Sequence, residues 1–141
     1  MKNNTPIAIQ HYVALILLQL LLPIFSAVID MFDTAPQLKL LDQTLYTQPQ
    51  MWEILLITLL GFFILVMSIG LLLRQHWARK LYLYSFFPLF LIYFMPYMQW
   101  FYMSHISALL NDLSFVFAGM LWLILWQPNL YQPLFAPPSV K

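Results

Sequence analysis

Asp112 has the clearest capacity for chemistry, because it is the one acid set well inside a long apolar run. Counted from a helix start near Ser104, it lies about 12 Å below the boundary at about 1.5 Å per residue. A carboxyl group at that depth is a candidate proton, cation or ligand site. His105 precedes it by seven residues, on the same helical face and about 10 Å further out, which is the spacing of a two-group proton path. Asn111 adjoins Asp112, Thr58 falls at similar depth on the second apolar run, and Tyr97 and Gln99 lie nearer the surface on the third. Hydrogen bonds from such groups would let Asp112 stay in a bundle without a counter-ion. Two plainer roles compete with a titrating one: a structural contact between helices, or a late helix cap at Asn111 and Asp112 with Ile106 to Leu110 in a surface turn.

Other constellations are thinner. His11 and His76 both fall near one membrane boundary, but bis-histidine haem needs two imidazoles facing each other from helical positions, and His76 lies past the end of its apolar run. Asp30 and Asp33 are two carboxylates with no third ligand nearby, so no metal is expected. With no cysteine there is no disulfide, thiolate chemistry or Cys-ligated metal, which removes quinone–disulfide oxidoreductases. No Ser-His-Asp set, phosphate loop, HExxH site or pair of intramembrane acids occurs, so neither an enzyme nor a cofactor is expected.

The elements that must hold these residues are apolar. The chain of 141 residues is 62% hydrophobic and 8% charged, against about 25% charged for soluble domains. Its formal charge of +1 offers nothing to nucleic acid. Four runs are long enough for a hydrocarbon core of about 30 Å: residues 7–29, 52–73, 81–101 and 106–126. The first is longer than a signal-peptide core and lacks a small-x-small site before Ala27, so it reads as a retained anchor. On it Gln19, Pro23, Ser26 and Asp30 form a polar stripe that should face other helices, with Pro23 kinking the run and Ser26 helping to satisfy the freed carbonyl. On the second, Thr58, Gly61 and Ser68 share a seam with Ile54, Leu65 and Leu72 that should pack inward. The third carries Pro88 and Pro96 on one face and predicts a bent helix. The fourth has Ser104, Ser107, Asn111, Ser114 and Ala118 on one seam, edged by Ala108, Asp112 and Gly119.

The connections complete an all-α, four-helix transmembrane bundle in one domain. The outer loop 30–51 contains a short amphipathic stretch, Gln37 to Tyr46, suited to lying on the surface. The loop 74–80 carries Arg74, Arg79 and Lys80, which set topology and could attract anionic lipid headgroups. The tail 127–141, with Pro128, Pro133, Pro137 and Pro138, should be extended. With the N- and C-termini inside, Lys2, Arg74, Arg79, Lys80 and Lys141 are cytoplasmic and only Lys39 is external, so the expected orientation is N-in/C-in.

Gly70-Leu-Leu-Leu-Arg74, Trp77-Ala78-Arg79-Lys80-Leu81-Tyr82 and the final span closed by Trp126-Gln127-Pro128 resemble parts of small bacterial four-span inner-membrane proteins of uncharacterised families. That resemblance implies a multi-pass protein of the bacterial inner membrane and supplies no active residues. Small multidrug transporters are of similar size and span number, but this chain departs from them in having no acid in its first span. The leading expectation is a non-enzymatic accessory or assembly partner of another membrane protein, in contact with the lipid bilayer. The alternative is a small proton-coupled or ion-conducting transporter, homo-oligomeric, that uses Asp112. A third reading is phospholipid or quinone handling between the bent third helix and the fourth.

Overall fold

The computed structural model describes residues 7–32, 50–95 and 103–136. Three long helices dominate: α1 (Ile9–Phe32), α2 (Met51–Leu72) and α4 (His105–Trp126). At about 1.5 Å per residue each is about 33–36 Å long, enough to cross a hydrocarbon core. Between α2 and α4 lie the shorter α3 (His76–Ser85) and a 3₁₀ segment, Pro88–Phe94, and the chain closes with α5 (Pro128–Phe135). Among the described residues, three helices, not four, are long and apolar enough to span a membrane.

The expected third span over 81–101 is therefore corrected. Its helix starts earlier, at His76, and its α-helical hydrogen bonding stops at Ser85. Pro88 explains the stop, since it has no N–H to give and its ring crowds the carbonyl four residues back. The backbone stays helical in dihedral angle at Phe86 and Phe87, then winds as 3₁₀ with Pro88 at its start. The segment runs antiparallel along α4: Arg79 meets Leu125, Tyr82 meets Ala118, Phe90 meets Phe115, and Tyr93 meets Asn111.

The expected basic loop 74–80 also shrinks. Only Leu73, Arg74 and Gln75 separate α2 from α3, and Arg79 and Lys80 are helical. Arg74 adopts φ 55°, and the Gln75 and Arg74 amides donate to the carbonyls of Gly70 and Leu71 at 2.9 Å each. This is a Schellman closure with arginine where glycine is usual. The turn brings α3 against α2 so closely that a Cβ on Gly70 would lie 2.6 Å from the Ala78 Cβ and 2.8 Å from the Trp77 ring.

The tail is the third correction, because residues 128–135 form α5 rather than staying extended. Pro128 sits in the first turn, where a missing N–H costs nothing. Leu134 and Phe135 are buried, and Phe135 meets the rings of Tyr12 and His76 at 6.1 and 5.5 Å. The amphipathic stretch expected at Gln37 to Tyr46 lies outside the described residues, as do Asp33, Lys39 and Asp42.

The core is uneven. Tyr12 and Ile16 of α1, Met67 and Leu71 of α2, Ala78 and Tyr82 of α3, Leu121 and Leu125 of α4 and Leu134 of α5 cluster toward the end that carries Arg74, Arg79 and Lys80. At the opposite end Asp30 and Glu53 are the acids among the described residues. Between Ile54 and Val66 no residue of α2 is buried by the rest of the chain. Replacement Gly70→Val should separate α2 from α3 and lower stability by about 1–3 kcal/mol, the usual range for overpacking. Thermal unfolding in detergent reads this out, and an unchanged midpoint would show that the approach is not tight. Conversely, Arg74→Gly should relieve about 1 kcal/mol of left-handed strain at the turn.

Candidate functional site

Interior polar groups divide into those that bind helices together and those that border open space. The first group begins with two serines. Ser26 Oγ donates to the Ser107 carbonyl at 2.7 Å, and Ser107 Oγ donates to the Ser26 carbonyl at 2.9 Å. The exchange is reciprocal across the α1–α4 interface, with Ser107 fully buried. Ser26 thus bonds to the neighbouring helix, not to the carbonyl freed by Pro23. One turn further out, Asp30 Oδ1 accepts from the Ser104 amide at 2.7 Å, and Ser104 Oγ caps α4 by accepting from the Ser107 amide. Because Ser104 is the N-cap, Asn111 and Asp112 lie well inside α4, and the reading of them as a late cap is set aside.

Tyr82 performs a similar task lower down. Its hydroxyl lies 2.7 Å from Gln19 Oε1 and 3.0 Å from the Ala118 carbonyl, joining α3 to α1 and α4. Tyr12 Oη donates to the Leu71 carbonyl at 3.0 Å and ties α1 to the C-terminal end of α2. At the basic end, Arg79 donates to the Leu125 carbonyl at 3.3 Å while its guanidinium lies 3.6 Å over the Tyr131 ring. Arg74 donates to the Leu134 carbonyl at 3.5 Å. Both cations thus meet carbonyls at helix C-termini, where positive charge is favourable. Of the three basic residues expected at a lipid surface, Arg74 and Lys80 are exposed and Arg79 is half-buried.

The second group surrounds a partly open cavity of about 890 Å³ between α1, α2, the 82–93 stretch and α4. Pro23 and Gln19 contribute from α1, Gly61 and Leu65 from α2, Phe90 and Tyr93 from the 3₁₀ segment. From α4 come Asn111 and Asp112, over a stretch from Ala108 to Ala118 that is about 15 Å long. Asn111 lies beside the Tyr93 side chain, and Asp112 is exposed within electrostatic reach of the same tyrosine. Thr58 is not brought to this place: it is exposed and its hydroxyl donates to the Ile54 carbonyl of its own helix at 2.8 Å. His105 is exposed in the first turn of α4, and Gln99 and Tyr97 fall outside the described residues. On the second run's expected inward seam, Ser68 is buried, Gly61 and Leu65 border the cavity, and Ile54 and Thr58 face away from the chain.

Sequence reasoning missed the Tyr82–Gln19 pair, since Gln19 was placed on a polar stripe with no partner assigned. A glutamine at mid-depth needs a partner, and a tyrosine on the facing element supplies one; that requirement was the available signal. It also missed Tyr93 as the partner of Asn111, because the register of the proline-broken third element was not set.

These features define an all-helical, multi-pass membrane protein with a polar-edged cavity among its helices. No family model, curated protein or solved structure matches the chain.

The reciprocal serine pair should be measurable. Ser107→Ala should destabilise the bundle by about 0.6–2 kcal/mol, the range for hydrogen bonds between membrane helices. A double-mutant cycle with Ser26→Ala, followed by unfolding in mixed micelles, tests it, and a loss below about 0.2 kcal/mol in both single variants would contradict the bonding described.

Proposed function

We propose that this chain is a non-enzymatic integral protein of a bacterial inner membrane, acting as an accessory or assembly partner of another membrane protein. The observation that carries the reading is the exposed outer face of α2, formed by Leu55, Leu59, Phe62 and Val66, beside an α1–α4 pair already joined by its own hydrogen bonds. A surface of this kind is available to another transmembrane helix, whose association would rest on van der Waals packing. Interior hydroxyls are also largely committed to helix carbonyls, which is the work of a scaffold. The run of residues 76–94 along α4 supports four crossings, since about 15 Å of α-helix and 14 Å of 3₁₀ segment, with two residues between, cover most of a bilayer core. The gathering of Arg74, Arg79 and Lys80 at one end supports N-in/C-in orientation.

A second reading, a proton-coupled or ion-conducting role, is favoured by Asp112 at the cavity edge. Purification of the tagged chain in mild detergent, with mass spectrometry of what accompanies it, separates the two. A stoichiometric membrane-protein partner is expected. A homogeneous homo-oligomer whose proton flux disappears in Asp112→Asn would replace the accessory reading with transport.

Orientation has its own test, made simple by the lack of cysteine. Gln50 and Gln75 are both exposed and stand at opposite ends of α2. In intact cells an impermeant maleimide should label Gln50→Cys and spare Gln75→Cys until the membrane is opened; the reverse pattern would invert the topology.

A further inference from the structure

We propose that the cavity is a binding site for a lipophilic organic cation, with its charge beside Asp112 and its apolar body between α2 and the aromatic side chains of the 3₁₀ segment. The first observation is charge. Asp112 borders the space, and no lysine, arginine or histidine among the described residues does. Arg74 and Arg79 are at the basic end, bonded to the Leu134 and Leu125 carbonyls. Inside a bilayer, where screening is weak, one uncompensated carboxylate sets the sign of the guest.

The second observation is the ring cluster. Phe90, Tyr93 and Phe115 all line the cavity, with centroid separations of 6.5 Å for Phe90–Tyr93, 5.8 Å for Phe90–Phe115 and 6.1 Å for Tyr93–Phe115. They are 39%, 46% and 37% exposed respectively, so their surfaces are not used up by packing against one another. Aromatic faces attract cations through the ring quadrupole, most strongly where water is scarce. A carboxylate next to three such rings suits a delocalised cation better than any anion.

The third observation is size and hydrogen-bonding capacity. A cavity of about 890 Å³ is near the top of the range for drug-sized guests, about 300–1,000 Å³. Its hydroxyls are already engaged: Tyr82 with Gln19 and Ala118, Ser85 with Met67, and Ser114 with the Asn111 carbonyl. A quinone could take hydrogen bonds from the Gln19 and Asn111 amides but would leave the Asp112 carboxylate unmatched, and a phospholipid phosphate would meet Asp112 with no cation to hold it. The site therefore favours a guest that asks for charge and apolar contact rather than a hydrogen-bond pattern. This inference does not depend on whether the chain also has a protein partner.

The test uses the full chain in nanodiscs of zwitterionic lipid, with tetraphenylphosphonium as the probe and tetraphenylborate as its anion of matched shape, both read by equilibrium dialysis against empty nanodiscs. Saturable binding of the cation at one per chain is expected, with no saturable binding of the anion. Asp112→Asn should weaken the cation by about tenfold or more, and Ile64→Trp, which fills the cavity wall on α2, should abolish it. Circular dichroism and gel filtration establish that each variant is folded. Equal or tighter binding of the anion to the unsubstituted chain overturns the proposal without recourse to any variant. So does cation binding unchanged in folded Asp112→Asn, or a co-purified quinone or phospholipid at one per chain that excess cation does not displace.

Discussion

A backbone polar group or hydroxyl in hydrocarbon has no water to turn to, and this bundle meets that constraint chiefly between α1 and α4. The exchange of hydroxyls between Ser26 and Ser107 lets two helices approach through small side chains while each serine satisfies itself on its neighbour's backbone. Asp30 extends the contact to the Ser104 amide, and Tyr82 extends it inward through Gln19 and Ala118. Once α1 and α4 are paired in this way, every other element has a defined place to rest. The 82–93 stretch lies along α4, and α2 is left to close the remaining side.

Closure by α2 is strong only at one end. There Gly70 admits Trp77 and Ala78, Tyr12 reaches the Leu71 carbonyl, and α5 lays Leu134 and Phe135 over the junction. Arg74 accepts a left-handed backbone to make that turn, and its side chain reaches the Leu134 carbonyl. Away from this knot no α2 residue from Ile54 to Val66 is buried, Pro23 of the continuous α1 borders the facing side, and the cavity occupies the space between them. Tight packing at the basic end and open space further along follow from where the small and polar residues sit.

The three long helices were legible because hydrocarbon thickness fixes their length. Expected runs of 7–29, 52–73 and 106–126 became Ile9–Phe32, Met51–Leu72 and His105–Trp126. The third element was misjudged because its apolar length was read without giving full weight to Pro88, which ends the α-helix three residues earlier. The tail was misjudged by counting prolines instead of placing them: Pro128 suits a first turn, and Leu134 and Phe135 gain enough burial to fix the rest. At the site, Asp112 and Asn111 could be located because a polar residue in α4 stands out against apolar neighbours. The rotation of α2 could not, since a helix apolar on all sides shows no preferred face, and Thr58 accordingly turned away. Pairings such as Tyr93 with Asn111 depend on the register between elements, which periodicity within one element does not contain.

The architecture depends most heavily on α1 and α4 forming the fixed pair. Disulfide trapping in native membranes tests this directly, because the chain has no cysteine of its own to confuse the result. The double substitution Ser26→Cys with Ser107→Cys should cross-link rapidly within one chain under mild oxidation, while Thr58→Cys with Ser107→Cys should not. Failure of the first pair, or preferential cross-linking of the second, would contradict the helix arrangement from which the cavity and its function are argued.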